Sequence, residues 1–91
     1  MTDVYAHVEI KNIKGLHARA AAAFVKIADG FIGTDISVSK NGQEVSGKSI
    51  LGLMTLAASK GTVITIKTEG AEAKKALDDL VGLVNEKFNE D

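Results

Sequence analysis

The spacing of hydrophobic residues changes along the chain from the two-residue period of a strand to the longer period of a helix. Over residues 4–10 the apolar side chains occupy alternate positions, which predicts a half-buried strand. Residues 12–15 are predicted to form a loop. From about residue 18 to residue 29 apolar residues fall at helical spacing and alanine is abundant, which predicts a helix packed close against its neighbours. Gly30 is a natural end for this helix.

A hairpin and a further strand are predicted in the middle of the chain. Residues 34–40 alternate again, and Asn41-Gly42 is a strong signal for a two-residue hairpin because both positions tolerate a positive φ angle. The return strand, residues 43–46, is short and polar, so we expect it to lie at a sheet edge. The β-branched run over residues 62–68 predicts a fourth strand.

The last helix is predicted over residues 71–88, where a continuous apolar stripe faces a strongly polar side. The tail that follows is Asn89-Glu90-Asp91. Its acidic side chains lie at the negative end of the helix dipole, so we expect this tail to fray.

Residues 49–58 predict a helix of a different kind, because its apolar residues surround most of the helix axis. So short a helix cannot press all of them against one sheet, so some must face solvent or a partner. We expect Leu53 and Leu56 to be buried. The residues that we expect to form a docking face are Ile50, Leu51 and Met54.

The predicted order of elements is β-α-β-β-α-β-α within one domain, residues 1–91. Four strands and three helices in so short a chain indicate an α+β fold with two layers, in which the helices cover one face of the sheet. The hairpin makes the two middle strands antiparallel. The rest of the topology does not follow from element order.

Composition narrows the functional classes. Hydrophobic residues make up 45% and charged residues 25% of the 91 residues, which is typical of a globular domain. Eleven basic against 12 acidic residues give a net charge of −1, which argues against a nucleic-acid binder. Cysteine is absent and there are two histidines, so we expect no metal site. No apolar run or signal peptide suggests a membrane or an export route, so we expect a cytoplasmic protein.

The candidate chemistry lies at Gly15-Leu16-His17-Ala18-Arg19, where the first loop becomes the first helix. If His17 is the N-cap, the backbone N–H groups of Ala18, Arg19 and Ala20 have no partner within the helix and favour an anion. The helix dipole disfavours a charged imidazolium, which leaves a nucleophilic ring nitrogen on His17. Arg19, the only arginine in the chain, adds a guanidinium suited to a phosphate.

Three interpretations of these residues remain open from physical chemistry alone. His17 could be an ordinary surface histidine at a helix start, with Arg19 a solvated charge. The site could bind an anion without reacting with it. In the third interpretation His17 accepts a phosphoryl group covalently.

The same residues resemble the active-site signature of HPr, the histidine-containing phosphocarrier of the bacterial phosphoenolpyruvate:sugar phosphotransferase system. Residues 47–54 (Gly-Lys-Ser-Ile-Leu-Gly-Leu-Met) resemble the regulatory-serine region of that family, and residues 59–61 match it as well. The resemblance extends over essentially the whole chain. It implies an open-faced β-sandwich in which four antiparallel strands are covered by three helices. One departure is Ala20, because the family usually has proline at this position.

The family resemblance also implies roles and partners. It implies that enzyme I phosphorylates His17 on Nδ1, that Arg19 steadies the phosphate, and that sugar-specific IIA components receive the group without any cofactor. It implies that Ser49 is a substrate of an HPr kinase/phosphorylase in bacteria that have one, and a transcriptional regulator is a further partner. Ser49 is equally well placed as a simple helix cap. We expect a monomer that neither binds nucleic acid nor inserts into a membrane.

Two functions of different classes follow. The first is a phosphocarrier that passes a phosphoryl group from enzyme I to IIA components. The second is an HPr-like regulatory module of the nitrogen-related branch, in which the phosphorylation state of His17 or Ser49 controls partner binding and no sugar is transported. A hydrolytic enzyme would need a group beside His17 that activates water, and the neighbouring sequence offers none.

Overall fold

A computed structural model of the chain describes residues 3–90. The four strands are β1 (Asp3–Glu9), β2 (Thr34–Lys40), β3 (Gln43–Ser46) and β4 (Val63–Gly70). The three α-helices are α1 (Ala18–Ala28), α2 (Ile50–Thr55) and α3 (Ala73–Asn85), and a short 3₁₀ turn over Lys87–Asn89 follows them.

The strands form one antiparallel sheet in the order β1-β4-β2-β3. The short strand β3 lies at an edge, as predicted. Asn41 and Gly42 have φ angles of 51° and 85°, which confirms the hairpin that joins β2 to β3. The α+β architecture predicted from the sequence is therefore confirmed, with the first and last strands paired at one side of the sheet.

The three helices cover one face of the sheet and leave the other face exposed. Alternate residues of the strands point into the core, among them Val8, Val38 and Ile66. Helix α1 contributes Phe24, which is fully buried, and helix α3 packs on β1 and β4. Small alanines on α1 let the helix lie close to its neighbours, because a short side chain permits a short separation between backbones. No helix within residues 3–90 is both long and apolar enough to cross a membrane.

Helix α2 is shorter than the predicted span of residues 49–58. It ends at Thr55 because the chain tightens there: the amides of Leu56 and Ala57 bond to carbonyls three residues earlier. Ala57 then adopts a left-handed conformation with φ 50°, which turns the chain back toward the loop before α1. Leu53 and Leu56 are buried as predicted.

The end of the chain differs most from the prediction. Helix α3 stops at Asn85, and three consecutive residues of the 3₁₀ turn, Lys87, Phe88 and Asn89, have positive φ angles of 58°, 55° and 60°. This left-handed turn reverses the chain and buries Phe88 in the core. The predicted fraying of the tail is therefore wrong for Glu90, whose side chain is held against the start of α1; Asp91 lies outside the described residues.

Candidate functional site

The loop before helix α1 is fixed by backbone contacts with the segment that follows α2. The amide of Leu16 donates to the carbonyl of Ala58 over 2.9 Å. Gly15 has a φ of 68°, and a Cβ at this position would lie 2.5 Å from the carbonyl oxygen of Ala58. Only glycine fits so close an approach, and this constraint sets where helix α1 begins.

His17 is the N-cap of helix α1, as the sequence predicts. Its backbone is extended, with φ −81° and ψ −176°, and its side chain makes no capping hydrogen bond. The first helical hydrogen bond runs from the amide of Ala21 to the carbonyl of His17. The amides of Ala18, Arg19 and Ala20 therefore have no hydrogen-bond partner among the described residues, which leaves three donors at the positive end of the helix dipole.

Arg19 lies one residue into the helix and is exposed. Its guanidinium makes no hydrogen bond or ion pair with any residue of the described chain. It lines a surface cavity of about 180 Å³ together with Ile13, Lys14 and Glu90. Two cationic side chains beside the free amides make this end of the molecule suited to an anion.

The imidazole of His17 is held by the tail of the chain. Its Nε2 lies 2.6 Å from Oε2 of Glu90, and the side chains of His17 and Glu90 are 28% and 12% exposed. Because an ionised carboxylate only accepts hydrogen bonds, Nε2 carries the proton and donates it to Glu90. Nδ1 then has the lone pair, and no described residue forms a hydrogen bond with it.

Glu90 is held in turn by a buried amide. Nδ2 of Asn12 donates both to Oε1 of Glu90, over 2.9 Å, and to the carbonyl of Gly15, over 2.7 Å. Burial by itself would raise the pKa of Glu90, but the hydrogen bonds from Asn12 and His17 and the attraction of His17 and Arg19 lower it below its ordinary value. Glu90 is therefore a carboxylate at neutral pH.

Comparison with known proteins shows the family to which the chain belongs. A family model described as the PTS HPr component phosphorylation site matches residues 4–86. The chain belongs to the HPr family. It is 48% identical to the phosphocarrier protein HPr of Neisseria meningitidis serogroup A over 83 residues, which are 91% of this chain and 92% of that protein.

Two further relatives show how far the similarity extends. The HPr-like protein Crh of Bacillus subtilis is 42% identical over 91% of this chain and 96% of its own. The crystal structure of HPr from Thermoanaerobacter tengcongensis superimposes with a TM-score of 0.90 at 43% identity, covering 100% of this chain and 99% of the other. The open-faced sandwich implied by the resemblance to HPr is thus confirmed.

The second motif of the HPr family lies at the start of helix α2. Oγ of Ser49 accepts a hydrogen bond of 2.9 Å from the amide of Gly52, so the predicted N-cap is confirmed. The predicted docking side chains Ile50, Leu51 and Met54 are all exposed, and Leu51 is 76% exposed. The C-terminal end of α2 leads directly to Ala57 and Ala58, which line a second cavity beside His17. Helices α1 and α2 also contact each other.

Sequence reasoning missed Asn12 and Glu90. Asn12 lies in a loop, and its burial, which makes its amide need partners, is visible only in the folded chain. No local pattern indicates that Glu90 meets His17, which is 73 residues away in the chain. Among residues 3–90 no cluster of acidic and histidine side chains is suited to a metal ion.

Proposed function

We propose that this protein is a phosphocarrier in which Nδ1 of His17 accepts a phosphoryl group from phospho-enzyme I and later donates it to IIA components of the sugar phosphotransferase system. The observation that carries the proposal is the start of helix α1, where His17 is the N-cap and the amides of Ala18, Arg19 and Ala20 have no hydrogen-bond partner among residues 3–90. The guanidinium of Arg19, in the first turn of the same helix, also has no hydrogen-bond or ion-pair partner among them. Membership of the HPr family supports the same assignment.

The chemistry requires no cofactor. The lone pair of Nδ1 attacks phosphorus, the new N–P bond forms, and the bond from phosphorus to the donor atom breaks with its electron pair left on the donor. The amides of Ala18, Arg19 and Ala20 and the Arg19 guanidinium are placed to stabilise the charge on the phosphoryl oxygens. The reverse step delivers the group to the acceptor. The protein is thus phosphorylated in one step and dephosphorylated in the next, so it acts as a carrier rather than as an enzyme on its own.

The exposed apolar face of helix α2 supplies the docking surface in this proposal. Ile50, Leu51 and Met54 are exposed on a helix that contacts α1, and the chain after this helix lines a cavity beside His17. A partner that docks on them is therefore expected to reach the imidazole. A flexible methionine suits a surface that has to fit both enzyme I and several IIA components. We propose that the carrier works as a cytoplasmic monomer, because each transfer needs this face free.

Ser49 is the proposed regulatory position. Its hydroxyl caps α2 directly beside Ile50, so a phosphate added by an HPr kinase/phosphorylase would bring negative charge to the docking face. Regulation of this kind acts on association and leaves His17 itself unchanged.

A second function is favoured by the similarity to the HPr-like protein Crh. In this alternative the chain is an HPr-like regulatory module of the nitrogen-related branch, whose phosphorylation state controls binding to a kinase, a transporter or a transcriptional regulator, and no sugar is transported.

The deciding experiment is incubation of the protein with phosphoenolpyruvate and enzyme I, followed by intact mass measurement. The carrier function predicts the added mass of one phosphoryl group, lost on mild acid treatment because a phosphoramidate bond is acid-labile. Adding sugar-specific IIA components then separates the two functions: a carrier is discharged by them, whereas a regulatory module keeps its phosphoryl group. No added mass in the first step contradicts the carrier function.

A further inference from the structure

The tail that carries Glu90 is built in an unfavourable backbone conformation. Lys87, Phe88 and Asn89 are all left-handed, and none of them is glycine, the residue that adopts this conformation without steric cost. Three such residues in a row persist only where surrounding contacts compensate, and strained backbone of this kind concentrates at functional sites. Here the strained turn directs Glu90 onto the imidazole of His17 and buries Phe88 as its anchor.

The contact between His17 and Glu90 is also supported by Asn12. Asn12 is fully buried, and its Nδ2 bridges the carbonyl of Gly15 and the carboxylate of Glu90. Both of those partners only accept, so the orientation of the Asn12 amide is fixed. This bridge connects the loop before helix α1 to the tail after α3. Glu90 lies beyond the part of the chain that the HPr family model matches, which ends at residue 86.

We propose that Glu90 is a positioning residue for phosphoryl transfer: it holds the His17 ring through Nε2–H so that Nδ1 is the attacking atom, and it keeps the phosphorylated ring protonated. This inference deepens the proposed function and rests on it. The choice of ring nitrogen follows from the general rule that a hydrogen bond at one nitrogen of a histidine decides the protonation of the other.

The second part of the proposal follows from the balance of charge and protons. When Nδ1 attacks phosphorus, the proton stays on Nε2 and the ring becomes cationic, next to the carboxylate. On donation, the N–P bond breaks and its electron pair returns to Nδ1, which regenerates the neutral ring. If the phosphorylated ring had lost its Nε2 proton, the leaving group would be an imidazolate anion, which is far poorer. Glu90 therefore favours the form of the carrier that can release its phosphoryl group.

Other charges near the ring oppose this effect. Lys14 lines both cavities at this end of the molecule, and Arg19 lines the cavity that also contains Glu90. The N-terminal end of α1 adds partial positive charge. All three disfavour a cationic ring, so a carboxylate in contact with Nε2 is the group that offsets them.

The test uses the full-length protein phosphorylated chemically with phosphoramidate, so that no partner protein is needed. The hydrolysis rate of the phosphorylated protein is measured against pH for the wild type, Glu90→Gln, Glu90→Asp and Glu86→Gln. Glu86→Gln is the matched control, because it removes the same charge from an exposed residue of the same tail. Hydrolysis proceeds through the protonated ring, so its rate falls as the Nε2 proton is lost.

We expect the fall in rate to occur about one pH unit lower in Glu90→Gln than in the wild type, the shift that removal of an adjacent opposite charge typically causes. Glu90→Asp, which keeps the charge, returns the profile toward that of the wild type, and Glu86→Gln coincides with it. A merely structural role for Glu90 would leave the pH profile in place. Coincident profiles for Glu90→Gln and the wild type would overturn the proposal.

The tautomer of the unphosphorylated His17 ring tests whether Glu90 holds this ring. Above pH 8, ¹⁵N spectra of the wild-type ring should show protonated Nε2 and unprotonated Nδ1, whereas Glu90→Ala should show a mixture of the two tautomers. A mixture already present in the wild type contradicts the holding role. If instead both arms succeed but enzyme I transfers nothing to the wild type, the carrier function fails, although Glu90 still holds the ring and its proton.

Discussion

Helices α1 and α2 begin in opposite ways although both start after an extended residue. At α2 the Ser49 hydroxyl accepts the amide of Gly52, so that the helix satisfies one of its own exposed donors. At α1 the N-cap is His17, whose side chain turns away to Glu90 and caps nothing. The first amides of helix α1 thus have no acceptor among residues 3–90 and can bind an anion, whereas helix α2 uses one of its amides for its own stability.

This difference indicates that the start of α1 is a binding site, whereas the start of α2 is a structural cap. A helix start without a capping side chain is less stable by about 1 kcal/mol, and that free energy is recovered when an anion binds there. The charges near the two starts agree with this view, because Arg19 at the first has no hydrogen-bond or ion-pair partner within the described chain, whereas Lys48 beside the second donates to the carbonyl of Phe31. The start of helix α1 is suited to hold a phosphoryl group, and the start of helix α2 is suited to face a partner.

The largest effect should come from removing the imidazole at the first start. His17→Ala is expected to abolish phosphorylation by phosphoenolpyruvate and enzyme I, because no other group there supplies the attacking nitrogen. His7→Ala is the matched control, since His7 lies on the exposed face of the sheet and hydrogen-bonds to Thr65. Intact mass spectrometry measures both. An acid-labile phosphate that persists on His17→Ala would show that the nucleophile lies elsewhere.

A charge on the apolar face next to the second start should have the next largest effect. Leu51→Glu and Met54→Glu are each expected to weaken binding to enzyme I about tenfold, because a carboxylate would be desolvated in the contact. Tyr5→Glu places the same charge on an exposed residue of the opposite face and should bind normally. NMR titration gives the affinities. Unchanged affinity in both α2 variants would remove this face from the interface, provided their melting temperatures match that of the wild type.

Arg19→Lys should have a smaller effect, confined to the first start. The charge is kept but the planar two-pronged donor is lost, so we expect transfer to be slowed roughly threefold to tenfold. The melting temperature should hardly change, because Arg19 makes no hydrogen bond or ion pair within the described chain. Stopped-flow transfer rates and thermal melts measure the two quantities separately. A large fall in melting temperature with normal transfer would make Arg19 a structural residue.

The contrast between the two helix starts also shows what the sequence could predict. His17, Arg19 and Ser49 follow from local patterns, because an N-cap and its first turn are set by residues within three or four positions of one another. The sheet follows from alternation and from the Asn41-Gly42 hairpin. Helices α2 and α3 end earlier than the hydrophobic pattern predicts, because non-glycine residues in left-handed conformations follow both helices and carry no local signal.

Asn12 and Glu90 belong to a part of the site that could not be predicted. The bond between His17 and Glu90 joins residues 73 positions apart, and it depends on a turn whose residues do not favour that conformation. The packing of Phe88 in the core helps to bring the tail back to helix α1. Tertiary contacts override the charge argument that predicted fraying, because the acidic side chain finds two hydrogen-bond donors at the start of another helix.

The smallest expected effects concern Ser49, and they test whether the second start is a cap, a switch or both. Ser49→Ala should lower the free energy of unfolding by about 1 kcal/mol, because the Gly52 amide loses its acceptor, and should transfer almost normally. Ser49→Asp can still cap the helix, and its charge suits the helix dipole, so its stability should be close to that of the wild type. Its charge beside Ile50 should slow phosphorylation of His17 by about twofold to threefold at low salt, and less at high salt, because exposed charges are screened over about 10 Å at 0.1 M.

Initial transfer rates of the wild type, Ser49→Ala and Ser49→Asp at two salt concentrations measure the effect on phosphorylation, and chemical denaturation measures the effect on stability. If Ser49→Asp matches the wild type at low salt, or if Ser49→Ala is the slower variant, charge at this position does not control association, and Ser49 serves helix α2 as a cap alone.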